Sequence, residues 1–162
     1  MNTRPLNSPG VVLVVEDEPF TLFMAADVLS RSGLAVVEAS CADEALRILE
    51  AQADVRAVFT DVEMPGSLDG LDLALRIGER WPSIGVVVTS ALPCYADKVP
   101  ERCGFLAKPY AGPALVRQIR EVTQAAGTMD PTHGTRVSAC ANGKGQARTA
   151  LHHGERNAAG EL

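Results

Sequence analysis

The chain has 162 residues, 46% of them hydrophobic and only 4% aromatic, enough for one domain around an aliphatic core and short for two. Residues 1–126 hold 11 basic and 17 acidic side chains, and so acidic a body argues against nonspecific nucleic-acid binding, which needs a positive surface. No apolar run approaches the roughly 20 residues that span a bilayer, and "VVLVV" is too short for a signal-peptide core, so the expected location is the cytoplasm, with no membrane partner.

Residues 1–8 read as a flexible lead. The run "VVLVV" (11–15) is a strand that delivers Glu16 and Asp17. Residues 19–33 follow with helical spacing, an apolar stripe of Phe20, Phe23, Met24, Val28 and Leu29, and Gly33 as the stop. "AVVEA" (35–39) is the second strand and "CADEALRILEAQ" (41–52) the second helix. "RAVFT" (56–60) is the third strand, running into Asp61 and a Met-Pro-Gly turn. Residues 70–81 are helical, with Asp69 and Asp72 near the start, where the helix dipole favours acids.

The fourth strand, "IGVVVTS" (84–90), ends on Thr89 and Ser90. Pro93 and Pro100 then leave room for only one or two helical turns, because each proline removes a donor and restricts its predecessor. "GFLA" (104–107) is the fifth strand, followed by Lys108 and Pro109, and residues 112–126 form the last helix. Beyond Ala126 there is neither an aromatic residue nor sustained periodicity, so 127–162 reads as a disordered tail in which His133, His152 and His153 bind nothing specific. Cys41, Cys94, Cys103 and Cys140 lack metal-like pairing and read as reduced thiols.

Strands this apolar are buried on both faces, and their alternation with helices is that of an α/β doubly wound parallel sheet. Such sheets bind ligands beyond the carboxyl ends of their strands. Glu16, Asp17, Asp61, the hydroxyls of Thr89 and Ser90, and Lys108 all fall there. Like charges about 4 Å apart repel by roughly 4 kcal/mol at an effective dielectric of 20. Three carboxylates against one ammonium therefore call for a hard divalent cation, Mg²⁺, held by Glu16, Asp17, Asp61 and the backbone carbonyl of Glu63. Asp61, kept ionised by that cation and by Lys108, has the character of a nucleophile for a phosphoryl group.

The acidic pair Glu16-Asp17, "DVEMPG" with Asp61, the hydroxyl of "VVVTSA" and "AKPY" with Lys108 together resemble a receiver domain of a two-component response regulator, over residues 9–126. The resemblance implies a flavodoxin-like, five-stranded parallel sheet of order 2-1-3-4-5, here with a shortened fourth helix. It implies Mg²⁺-dependent transfer to Asp61 from a phosphohistidine of a histidine kinase or histidine phosphotransfer protein. It also implies Ser90 as switch hydroxyl (Thr89 the alternative), Phe105 as switch aromatic, and a cis Lys108–Pro109 bond.

On this reading the chain is a stand-alone switch that catalyses only its own phosphorylation and dephosphorylation, without direct DNA binding. The alternatives are an interaction module that needs no phosphate, a phosphate sink, and an aspartate-nucleophile phosphatase. The phosphatase chemistry wants a second Asp where Glu63 stands.

Overall fold

The computed structural model describes residues 10–128. The expected lead at 1–8, the tail from residue 129 on and its three histidines lie outside the described residues.

Five strands form one parallel sheet of order β2-β1-β3-β4-β5. They are β1 (Val11–Val15), β2 (Ala35–Ala39), β3 (Val55–Asp61), β4 (Gly85–Ser90) and β5 (Gly104–Ala107). The helices are α1 (Pro19–Arg31), α2 (Ala42–Ala51), α3 (Gly70–Arg80) and α4 (Gly112–Gly127). Alternation along the central strands sends Leu13, Val15, Val58, Val86 and Val88 into one core, with Leu46 and Leu49 of α2 and Leu73 and Ile77 of α3. Val12, Val14, Phe59 and Val87 enter the opposite core, with Leu29 of α1 and Leu115, Ile119 and Val122 of α4.

Between β4 and β5 the chain makes only a 3-10 turn, Pro93–Lys98, in keeping with the two prolines. Tyr95, Val99 and Cys103 pack against the α2/α3 core there. Arg102 braces this segment, donating to the carbonyls of Gly78 (3.0 Å), Pro82 (2.6 Å) and Ile84 (3.3 Å) at the end of α3. Cys41, Cys94 and Cys103 are free thiols.

The stripe expected on α1 is corrected. Leu29 is buried, but Phe20, Phe23 and Met24 are 69%, 61% and 46% exposed. The core-facing side is made by Leu22, Ala25, Val28 and Leu29. Apolar residues occur around most of this helix, so spacing alone could not pick a face. Small alanines let the helix backbone approach the sheet, and the aromatics are left outside.

Gly70 fixes where α3 begins. A Cβ there would overlap the backbone carbonyl of Asp61 and crowd Val62 Cα. Gly70→Ala should cost about 1–3 kcal/mol, the usual range for overpacking, and displace Asp61 as well. A denaturation midpoint equal to wild type would show that the α3 start yields without strain.

Candidate functional site

Sheet order places the acids together. β1 lies between β2 and β3, so the chain direction of winding reverses at the β1/β3 boundary, where a crevice opens beyond the strand ends. Val15 is in register with Thr60, which puts Glu16 and Asp17 beside Asp61, the last residue of β3. The neighbouring strand ends are tied as well. Val62 N donates to Thr89 O at 2.9 Å, and Lys108 N donates to Ser90 O at 2.9 Å. The Lys108–Pro109 peptide is cis.

Glu16 and Asp61 are each 5% exposed, whereas Asp17 is exposed at the mouth. One carboxylate oxygen from each of Glu16, Asp17 and Asp61 can be chosen so that all three lie within 4.8 Å of one another. The Lys108 ammonium donates to Glu16 Oε2 at 2.9 Å and to Asp61 Oδ2 at 2.8 Å. The second Glu16 oxygen accepts from Glu18 N at 3.3 Å. Asp61 Oδ1 is buried and has no hydrogen-bond partner among the described residues. A buried carboxylate oxygen without a donor is costly to leave so. Clustered with two further carboxylates, Asp61 fits a cation and not another anion.

Burial raises the Glu16 pKa above its ordinary value, opposed by its bond to Lys108. Burial would lower that of Lys108, but its bonds to Asp61 and Glu16 outweigh this and raise it, so the ammonium stays charged. Glu18, the third acid of the run, is no part of the pocket. It caps α1, accepting from Phe20 N and from Thr21 N and Oγ1, and these bonds lower its pKa. Asp69 and Asp72 form a capping box at the start of α3, as their placement suggested.

The two candidate hydroxyls part company. Thr89 Oγ1 donates to Leu106 O at 2.7 Å and is occupied within the sheet. Ser90 Oγ accepts from Leu92 N at 2.9 Å and lies 3.5 Å from Glu63 Oε2. Phe105 is half-buried on β5, opposite Val88. Three contacts escaped sequence reasoning: the Lys108–Glu16 pair, the reach of the Glu63 side chain toward Ser90, and the Arg102 brace. The first had a signal in the surplus of acids over ammonium; the other two depend on loop paths that no spacing reveals.

Charge repulsion in the pocket has a measurable consequence. Asp17→Asn removes an exposed carboxylate close to two others and should raise the unfolding midpoint by a few degrees in chelator. Added Mg²⁺ should raise the wild-type midpoint, and the variant should keep little of that gain. Paired thermal melts with and without the ion test both halves, and a lower midpoint in chelator would refute the repulsion account.

A family model described as the response regulator receiver domain matches residues 12–120. Among curated proteins, the hydrogenase transcriptional regulatory protein HoxA of Cupriavidus necator is 31% identical over 135 residues, covering 76% of this chain and 26% of HoxA. The sensor protein TorS of Escherichia coli is 30% identical over 80 residues, 49% of this chain and 9% of TorS. The chain thus spans about a quarter or less of these two relatives. Among solved structures, a response regulator receiver domain protein from Clostridium thermocellum superposes with a TM-score of 0.65 at 26% identity, over 72% of this chain and 95% of that one. NtrX from Brucella abortus does so with a TM-score of 0.66 at 29% identity, over 74% and 28%. The sheet order, the acids gathered at its carboxyl edge and a family match over more than half of the sequence agree: the chain belongs to the response regulator receiver domains of two-component systems.

Proposed function

We propose that this receiver is a phosphorylation switch, taking a phosphoryl group onto Asp61 from a phosphohistidine of a histidine kinase or histidine phosphotransfer protein. One observation carries the reading. Asp61, clustered with the acids at the end of β1, has a buried Oδ1 with no hydrogen-bond partner among the described residues, while its Oδ2 is held by the Lys108 ammonium. A carboxylate meant only for structure would have both oxygens satisfied.

Glu16, Asp17, Asp61 and the Glu63 backbone carbonyl would hold Mg²⁺, whose charge would offset the surplus acids and the incoming phosphoryl oxygens. The protein's own groups do the rest. A carboxylate oxygen of Asp61 attacks phosphorus, the bond from phosphorus to the donor's imidazole nitrogen breaks, and the imidazole leaves neutral if its other nitrogen carries the proton. Lys108 stays an ammonium and faces the charge that develops on phosphorus-bound oxygens. Ser90 supplies a hydroxyl for one of those oxygens, and Phe105 is the aromatic that follows its movement. Phe20, Phe23 and Met24, exposed on α1 just after the acidic turn, give the rim an apolar flank that a protein donor would cover.

The test is intact mass after incubation with acetyl phosphate. The wild type should gain one phosphoryl group in Mg²⁺, stable in acid and labile in base, and none in excess chelator. Steady release of product from phosphate esters, without a covalent adduct, would favour the phosphatase alternative. No adduct from any donor would leave a phosphate-independent binding module.

A further inference from the structure

We propose that Glu63 is a positioning residue: its carboxylate accepts a hydrogen bond from the Ser90 hydroxyl in the unmodified protein, and a phosphoryl group on Asp61 must win that hydroxyl from it. This rests on the phosphoacceptor reading above and assigns the Glu63 side chain a part separate from its backbone carbonyl.

Ser90 is fully buried, so its O–H needs an acceptor. The oxygen already accepts from Leu92 N at 2.9 Å, which leaves its single proton to be placed. Glu63 Oε2, 3.5 Å away, is the acceptor the geometry offers. Thr89 does not compete, because its hydroxyl is spent on Leu106 O at 2.7 Å. The two loops are fixed relative to each other close by, since Val62 N bonds Thr89 O at 2.9 Å. The backbone at both ends of the contact is therefore held, and the exposed Glu63 side chain is the part left free to move.

Its length decides what it can do. At 3.5 Å the bond sits at the limit of useful geometry and is weak, although its acceptor is charged. A phosphoryl group on Asp61, the neighbour of Thr89 in register, would bring a more highly charged acceptor to the same hydroxyl. Ser90 would turn its proton to that group while still accepting from Leu92. Glu63 would lose its donor and face a like charge. Its side chain is exposed, so swinging into water costs little. The exchange releases the Glu63 side chain from Ser90 while the backbone bond between Val62 and Thr89 stays, which gives the switch a second moving part besides Ser90.

The test has two arms. In the unmodified protein without phosphodonor, Glu63→Ala should shift the NMR resonances of the Ser90 side chain and leave those of Thr89 in place, and Glu63→Gln, which keeps an acceptor, should shift them less. With acetyl phosphate and Mg²⁺, Glu63→Ala should speed adduct formation by about twofold, the low end of the net worth of one hydrogen bond. That gain should vanish when Ser90 is also Ala. Equal gains with and without Ser90, or Ser90 resonances that ignore Glu63, overturn this proposal and leave the proposed function standing. A wild type that takes up no phosphate overturns both.

Discussion

Asp61→Asn should keep its unmodified mass in acetyl phosphate and Mg²⁺ while the wild type gains a phosphoryl group. The substitution exchanges a carboxylate for a group of the same shape whose oxygen is a poor nucleophile. The bond to Lys108 can persist, because an amide oxygen still accepts from the ammonium that now reaches Asp61 Oδ2 at 2.8 Å. The amide nitrogen would take the position of the orphaned, buried Oδ1 and remove one negative charge from the acidic cluster. The fold should therefore be kept or strengthened in chelator, so that loss of the adduct cannot be blamed on unfolding. Intact mass reports the chemistry, and a urea titration of the same sample reports the fold. An adduct that still forms on the variant at the wild-type rate would place the phosphate elsewhere and end the case for Asp61.

The variant also probes how the pocket was assembled. Four of its parts were visible in the sequence because each closes a strand, and the ends of neighbouring parallel strands must lie together once the sheet order is known. The strands announced themselves as short β-branched runs, and "RAVFT" missed only Val55 and Asp61 at the ends of β3. The α1 stripe failed for a different reason. Phe20 and Phe23 carry the aromatic side chains of that helix, yet they lie outside while Ala25 and Ala26 lie inside. Burial there is decided by how near the helix can come to the sheet, which is a property of both surfaces. The Glu63–Ser90 contact was hidden in the same way, since it depends on the path of a turn carrying Gly66 at positive φ. Strand-end chemistry could be read from the chain; side-chain pairing across loops could not.

Replacing Lys108 by Ala should cost about 2–3 kcal/mol of stability in the absence of divalent cations, and the loss should shrink as the pH falls. The ammonium bonds both Glu16 Oε2, at 2.9 Å, and Asp61 Oδ2, at 2.8 Å. Both carboxylate side chains are 6% exposed, so its removal leaves two buried anions facing each other. Breaking a buried ion pair costs about 3–5 kcal/mol, but this ammonium side chain is 23% exposed, which argues for less. Proton uptake sets a ceiling. Burial already holds Glu16 above its ordinary 4.5, and the bond to Lys108 is the largest influence opposing that rise. Without Lys108 the Glu16 pKa climbs further. Neutralising at pH 7 a carboxyl that titrates at 4.5 when unfolded costs about 3.4 kcal/mol, which caps the share of the penalty that falls on Glu16. The sign follows from linkage. The folded variant binds a proton that the unfolded chain has lost, so its stability falls as pH rises from 4.5 through the raised folded value. Wild-type Glu16 is raised less, and the gap between the two proteins should widen with pH. Urea midpoints at about pH 5.5 and about pH 7.5 measure that gap, and Mg²⁺ added at the higher pH should recover part of it by restoring positive charge to the pocket. A gap of the same size at both values would mean that Lys108 holds the fold by packing and not by its charge.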